Sequence, residues 1–172
     1  MDWSLKLKFA KQISSAVFCL HENNIIHRDL VSSYYWHFLS YQMIIISSFF
    51  FIHIIIIKKK KHPENIFIHS DNIKLGDFGL SKSIICTTMS SSRALGSVRY
   101  SDPEYLNDID NYKRTKASDV YSVGVLMWEI SSGKLPFQGI SIRDFIFKVV
   151  KGDREKTIPG TPKSYNNIYR GI

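Results

Sequence analysis

Cysteine is scarce in this 172-residue sequence, and the patterns by which cysteine supports a small fold are missing. Cys19 and Cys86 are the only two cysteines, which is too few for a disulfide framework. No Cys-x-x-Cys pair or Cys/His cluster has zinc-ligand spacing. The N-terminal segment lacks the apolar run and small-residue cleavage site of a secretory signal peptide. We therefore predict a reducing, cytoplasmic setting.

Acidic residues are fewer than basic ones, but the imbalance is local. The chain has 23 Lys and Arg against 15 Asp and Glu, a formal net charge of +8. Four of the basic residues are Lys58–Lys61, and the chain without residues 31–61 has a net charge of +4. No basic stripe with interleaved aromatic residues remains outside that segment. Nucleic-acid binding is therefore not predicted.

Residues 31–61 lack Gly, Ala, Pro, Asp, Glu, Arg, Thr, Asn and Cys, and they contain eight isoleucines and eight aromatic residues. A membrane helix over residues 34–57 is one interpretation, because these residues carry no charge and precede four lysines. An extruded loop is a second interpretation. Lengthening a five-residue loop to about 36 residues adds only about 1.7 kcal/mol of closure cost, but the apolar surface of such a loop favours aggregation.

A third interpretation of residues 31–61 is that they are not protein-coding. Phe, Ile, Lys, Tyr and Met make up 20 of the 31 residues, and their codons are rich in A and T. An intron that begins with GT at the Val31 codon and ends with AG at the Lys61 codon would keep the reading frame. A retained intron or gene-model error is the interpretation we favour.

The first 24 residues show the periodicity of an amphipathic helix. Apolar residues recur at spacings of three and four, which places them on one face. They are Leu5, Phe9, Ile13, Ala16, Val17 and Leu20. Asn23-Asn24 is predicted to end this helix, whose expected role is to support the residues that follow.

Short motifs follow in a fixed order after this helix. His27-Arg28-Asp29-Leu30 comes first, and the apolar trios Ile66–Ile68 and Ile73–Leu75 flank a turn and predict a hairpin. Next come Gly76-Asp77-Phe78-Gly79, Asp102-Pro103-Glu104 and the run from Asp119 to Ile130. In this order the motifs resemble the C-terminal lobe of a eukaryotic protein kinase, and the last resembles the tyrosine-kinase-like group of Ser/Thr kinases.

The resemblance is closest when residues 31–61 are removed. Asp29 and Asn65 are then five residues apart, as the kinase signature requires, whereas they are 36 apart in the full chain. The implied fold is α+β by family, a mainly α-helical C-lobe with a short β-hairpin next to the catalytic loop. Residues 1–172 would form a partial kinase domain interrupted by residues 31–61, with the N-lobe absent because no Gly-rich loop or Val-Ala-Ile-Lys strand is found.

The resemblance also implies roles for individual residues in phosphoryl transfer. Asp29, within His27-Arg28-Asp29, would accept the proton of the substrate hydroxyl. Asn65 and Asp77 would be the Mg²⁺ ligands, and Asp77 would act within the nucleotide-binding triplet that Phe78 and Gly79 complete. ATP and Mg²⁺ are therefore the expected cofactors.

Several further residues have roles that the resemblance implies. His62 takes the position at which Ser/Thr kinases usually have a lysine that contacts the transferred phosphate. Arg28 would pair with a phosphorylated activation loop, for which Thr87, Thr88 and Ser90 are candidate phosphosites. Ser97 favours Ser/Thr substrates. Glu104 would lack its usual arginine partner, and Asp119 would hydrogen-bond the catalytic-loop backbone or cap a helix.

The expected function is transfer of the ATP γ-phosphoryl group to Ser/Thr, or Tyr, hydroxyls of a protein substrate by a monomer. Because the nucleotide-covering parts are not in the sequence, we expect these 172 residues to bind ATP weakly or not at all. One alternative is a truncated, catalytically inactive kinase-like interaction module. The other is a protein attached to the membrane through residues 34–57.

Overall fold

The computed structural model describes residues 1–30, 66–69, 72–75 and 98–172. Helices predominate among these residues, with one pair of strands. In chain order the elements are α1 (Trp3–Glu22), β1 (Ile66–His69), β2 (Asn72–Leu75), α2 (Pro103–Asn107), α3 (Lys116–Ser132), α4 (Ile142–Val150) and α5 (Lys163–Arg170).

Helix α1 has the amphipathic character that its sequence predicts. Its buried side chains are Phe9, Ala10, Ile13, Val17 and Leu20. The helix ends at the C-cap residue Asn23, and Asn24 adopts the left-handed conformation with a φ of 57°. The prediction of the helix and of its end is thus confirmed, except that Ala10 is buried whereas Leu5 and Ala16 are only partly buried.

Strands β1 and β2 form a two-stranded antiparallel sheet. The register pairs Ile66 with Leu75 and His69 with Asn72. The strands occupy the two apolar trios in which a hairpin was predicted, and β2 contacts helix α1. The position of a hairpin next to the catalytic loop stays a prediction, because the residues that flank the strands lie outside the described ones.

Helix α3 is the most buried element of the described chain, and its two ends are set by local sequence. The side chain of the N-cap residue Thr115 accepts a hydrogen bond from the backbone of Ala117, and the Ser118 hydroxyl accepts one from the backbone of Thr115. At the other end Gly133 is left-handed, with a φ of 67°, which suits glycine at a helix C-cap. Helix α3 contains the whole run from Asp119 to Ile130 that carries the kinase resemblance. Asp119 is not its cap, because the helix begins at Lys116.

Two apolar clusters lie on either side of helix α3. One joins α1, α3 and α5, and its members include Phe9, Ile13, Leu126 and Tyr165. The other joins α3 to α2 and α4. It is built around helix α4, two residues of which, Phe145 and Val149, are completely buried. Helix α3 therefore gives the described residues a common core.

Within these described ranges, no helix is both long and apolar enough to cross a membrane. Residues 34–57, for which a membrane helix was one interpretation, lie outside them.

Candidate active site

The carboxylate of Asp119 organises the candidate site from the first turn of helix α3. Its Oδ2 accepts a hydrogen bond from the backbone N–H of His27 at 2.8 Å, and its Oδ1 accepts one from that of Arg28 at 2.7 Å. The ring Nε2 of His21 lies 2.9 Å from the same Oδ2. Only 1% of Asp119 is exposed, so a carboxylate this deeply buried requires such partners. These are the backbone contacts that the kinase resemblance implied.

Arg28 has an unusual backbone conformation at this point. Its φ is 69°, in the left-handed region that a residue with a side chain adopts only at a cost of about 1–3 kcal/mol. The Asp119 carboxylate accepts hydrogen bonds from the N–H of His27, just before this strained position, and from the N–H of Arg28 itself. Helix α3 therefore helps to hold the backbone conformation of Arg28, and this conformation sets the position of the next residue, Asp29.

Asp29 lies beside the segment that leads into helix α2. A narrow cavity of about 10 Å³ is lined by Asp29 together with Tyr100, Ser101 and Asp102. Two residues of helix α3 fix Tyr100. The Tyr100 hydroxyl donates to Glu129 Oε2 at 2.8 Å, and its carbonyl accepts from the Ser122 hydroxyl at 2.8 Å. The fold thus places Asp29 against a well-supported segment.

Asp102 and Glu104 differ in their environments. Asp102 is buried and caps helix α2, and its Oδ1 accepts a hydrogen bond from the backbone of Tyr105 at 2.8 Å. A capping role gives a local reason for an aspartate at this position. Glu104 is exposed. The lack of an arginine partner therefore carries no desolvation cost here, because water solvates an exposed carboxylate.

Comparison with known proteins identifies the family of this chain. Residues 48–166 match the model of the protein kinase domain. The chain belongs to the protein kinase domain family. The matched residues include Asn65, Asp77, Glu104 and Asp119, whereas Asp29 precedes them.

Three serine/threonine-protein kinases illustrate the relationship. PrkC of Bacillus subtilis is 29% identical over 167 residues, covering 94% of this chain and 20% of the relative. The Raf homolog of Caenorhabditis elegans is 32% identical over 170 residues, covering 92% and 17%. The RAF proto-oncogene kinase of Xenopus laevis is 30% identical over 172 residues, covering 96% and 21%. The chain therefore spans about a fifth of the length of these curated relatives.

Only part of the predicted kinase site lies within the described residues. Asp119 binds the backbone of His27 and Arg28, Asp29 follows them in the chain, and Glu104 lies on helix α2. The other predicted site residues lie outside the described ones: His62, Asn65, Asp77, Phe78, Gly79, Thr87, Thr88, Ser90 and Ser97. Among the residues that the structure describes, no group of three His, Cys, Asp or Glu side chains could hold a metal ion.

Two residues of the candidate site were not found from the sequence. His21 meets Asp119 although 98 residues separate them, and Arg114 meets the carbonyl of Arg28 although 86 residues separate them. Both contacts join distant parts of the chain, and neither residue belongs to a motif that we singled out. The nearest available indication was that His21 lies one turn after Val17, in line with the apolar face of α1.

Proposed function

We propose that this chain is part of a Ser/Thr protein kinase that transfers the γ-phosphoryl group of ATP to hydroxyl groups of a protein substrate. The observation that carries the proposal is the Asp119 carboxylate, which holds the backbone of His27 and Arg28 directly before Asp29. Phosphoryl transfer depends mostly on positioning and charge stabilisation, so a fixed backbone next to the base is a functional requirement. The names of the three relatives support Ser/Thr substrates.

Asp29 is the proposed base, and its carboxylate would accept the proton of the substrate hydroxyl. Asn65 and Asp77 are the proposed Mg²⁺ ligands, because amide and carboxylate oxygens are the donors that this cation prefers. Bound Mg²⁺ would neutralise charge on the ATP phosphates. Phe78 and Gly79 complete the nucleotide-binding motif with Asp77.

Regulation and substrate choice are assigned to residues between helix α2 and the proposed Mg²⁺ ligands. Thr87, Thr88 and Ser90 are proposed phosphosites, and a phosphate there would form charge-assisted hydrogen bonds with Arg28. Ser97 is proposed to favour Ser/Thr hydroxyls. We further propose a monomeric, cytoplasmic protein.

A non-catalytic kinase-like module is the second candidate. Two observations favour it, namely His62 at the expected lysine position and the 36-residue separation of Asp29 from Asn65. A neutral imidazole offers less positive charge to the transferred phosphate than an ammonium group does. The two candidates differ in whether phosphate transfer depends on Asp29.

Phosphate transfer and thermal stability with Mg-ATP distinguish these candidates. The full chain and a chain shortened by residues 31–61 would each be compared as the unaltered protein and as Asp29→Asn and Asp77→Asn variants. We expect the shortened chain to be stabilised by millimolar Mg-ATP, weakly, and to transfer phosphate. Asp29→Asn should keep the stabilisation and lose transfer by at least about 10²-fold, whereas Asp77→Asn should lose both. Absence of any nucleotide effect in both chains would overturn the catalytic proposal for these residues.

The status of residues 31–61 has a separate test. Sequencing the transcript across codons 25–70 should give a main product about 93 nucleotides shorter than the genomic interval, which corresponds to those 31 residues. That product would place Asp29 and Asn65 on one loop. A transcript that retains the segment would contradict the intron interpretation, and detergent fractionation would then test membrane attachment through residues 34–57.

A further inference from the structure

Arg114 links three parts of the site that are far apart in sequence. One guanidinium nitrogen donates to the backbone carbonyl of Arg28, and the other lies 3.4 Å from the hydroxyl of Ser101. The guanidinium carbon sits 3.9 Å from the centre of the Tyr105 ring, within the range of a cation–π contact. Arg114 therefore contacts the residue before Asp29, the segment beside Asp29, and helix α2.

These contacts complement those of Asp119. The Asp119 carboxylate accepts from the N–H groups of His27 and Arg28, whereas Arg114 donates to the carbonyl on the opposite side of the left-handed Arg28. Both side chains come from one short stretch, because Arg114 directly precedes the cap of helix α3. The peptide groups on both sides of the strained Arg28 are thus held from a single rigid support.

The planar guanidinium is suited to this link. It presents its nitrogens in a fixed fork while its face lies on an aromatic ring, which lysine cannot reproduce. Because one fork spans the Arg28 carbonyl and the Ser101 hydroxyl, a shift of the Ser101–Tyr105 segment would be transmitted to the carbonyl next to Asp29.

We propose that Arg114 is a positioning residue that fixes Asp29 relative to the segment Ser101–Tyr105. The proposal deepens the proposed kinase function and rests on it for its catalytic consequence. Arg114 acts through the backbone of Arg28 and does not take part in proton or phosphate transfer. Its loss should therefore lower the rate of transfer more than it weakens nucleotide binding.

The test replaces Arg114 by Met, which keeps an unbranched apolar stem, and by Lys, which keeps the charge. Arg143→Met is the matched control, because Arg143 is an exposed arginine on helix α4. Two measurements are made on the full chain and on the chain without residues 31–61. One is amide hydrogen exchange across residues 25–30 with residues 163–170 as the reference, and the other is kcat and KM for phosphate transfer.

We expect Arg114→Met to speed exchange at residues 25–30 by about tenfold while residues 163–170 remain unchanged. It should lower kcat by about 10²-fold with KM for ATP within about twofold. Arg114→Lys should fall between the unaltered chain and the Met variant, and Arg143→Met should change neither measurement. Tyr105→Leu, which removes the aromatic contact, should shift both in the same direction to a smaller extent.

Three outcomes for Arg114→Met would overturn the proposal. The first is unchanged exchange at residues 25–30, and the second is an equal rise in exchange at residues 163–170, which marks general unfolding. The third is a rise in KM for ATP with kcat unchanged. If Arg114→Met does not fold, Arg114→Lys and Tyr105→Leu decide by the same criteria. If the unaltered chains transfer no phosphate, the kinase proposal fails by itself, and the exchange measurement still decides whether Arg114 positions the backbone at Arg28.

Discussion

Two equally buried residues of helix α3, one near its N-terminal end and one in its C-terminal half, are stabilised by different interactions. Asp119 near the N-terminal end and Leu126 toward the C-terminal end are each 1% exposed. Asp119 is surrounded by hydrogen-bond donors of His21, His27 and Arg28. Leu126 belongs to the apolar cluster between α1, α3 and α5. Burial alone therefore does not tell what a residue contributes.

The two residues differ in whether they fix the position of a backbone segment or contribute mainly to the stability of the fold. Hydrogen bonds to a carboxylate are directional, so the Asp119 end specifies where the backbone of His27 and Arg28 lies. Apolar burial is non-directional and proportional to area, so the Leu126 end stabilises the fold without specifying one loop conformation. Changes at the first end should affect function beyond their effect on stability, and changes at the second should act through stability alone.

Asp119→Asn should have the largest effect. An amide keeps one acceptor oxygen but turns an NH₂ group toward a backbone N–H, which leaves a buried donor unsatisfied and removes charge-assisted bonds. We expect the free energy of unfolding to fall by about 3–5 kcal/mol, measured by urea denaturation. Hydrogen exchange at His27 and Arg28 should rise more than exchange in helix α5. Asp110→Asn, at an exposed aspartate, is the control and should change stability by less than about 0.5 kcal/mol.

Leu126→Ala tests the apolar end of the helix. Truncating a buried leucine leaves a cavity and removes apolar contacts, for which we expect a loss of about 2–4 kcal/mol in the free energy of unfolding. Leu126→Met, which nearly conserves volume, should cost less than about 1.5 kcal/mol. Exchange should rise evenly in α1, α3 and α5. A selective rise at His27 and Arg28 would contradict the division between the two ends.

The same division explains what the sequence could predict. The face of α1 that includes Phe9, Ile13 and Leu20 was predictable because apolar burial leaves a period in the sequence. Gly133 as the residue that ends α3 was predictable from local chemistry. The links from Arg114 and His21 were not, since a polar contact between distant segments leaves no local pattern. The exposure of Glu104 was missed for the same reason, because motif resemblance does not report solvent access.

Alkaline pH should weaken the fold through two buried tyrosines, Tyr165 on helix α5 and Tyr121 on helix α3. Burial, with a smaller contribution from Tyr169, raises the pKa of Tyr165 above its ordinary value of 10.0. Burial also raises the pKa of Tyr121. Each phenol stays protonated in the folded chain while the unfolded chain loses protons above pH 10, so stability is full below pH 10 and falls as pH rises above it.

The expected slope is up to about 1.4 kcal/mol per pH unit for each buried tyrosine. Tyr165→Phe should make the fall above pH 10 shallower by about that amount in urea titrations between pH 9 and 11. The variant should also be less stable at pH 7 by about 1 kcal/mol, because the Tyr165 hydroxyl donates to the carbonyl of Met127 at 2.9 Å. Tyr112→Phe, at a less buried tyrosine, is the control. An unchanged slope in Tyr165→Phe would argue against this titration.

Thr115→Ala should have the smallest effect, although Thr115 lies between Arg114 and Asp119 in the chain. The change removes the cap oxygen that accepts from Ala117, at an expected cost of about 1 kcal/mol in the free energy of unfolding. Thr115→Ser keeps that oxygen and should stay within about 0.5 kcal/mol of the unaltered chain. Exchange should rise at residues 116–118 but less than twofold at His27 and Arg28, since Asp119 is held by its own three partners. A comparable rise at both places would mean that the helix cap, rather than the Asp119 carboxylate, fixes the loop.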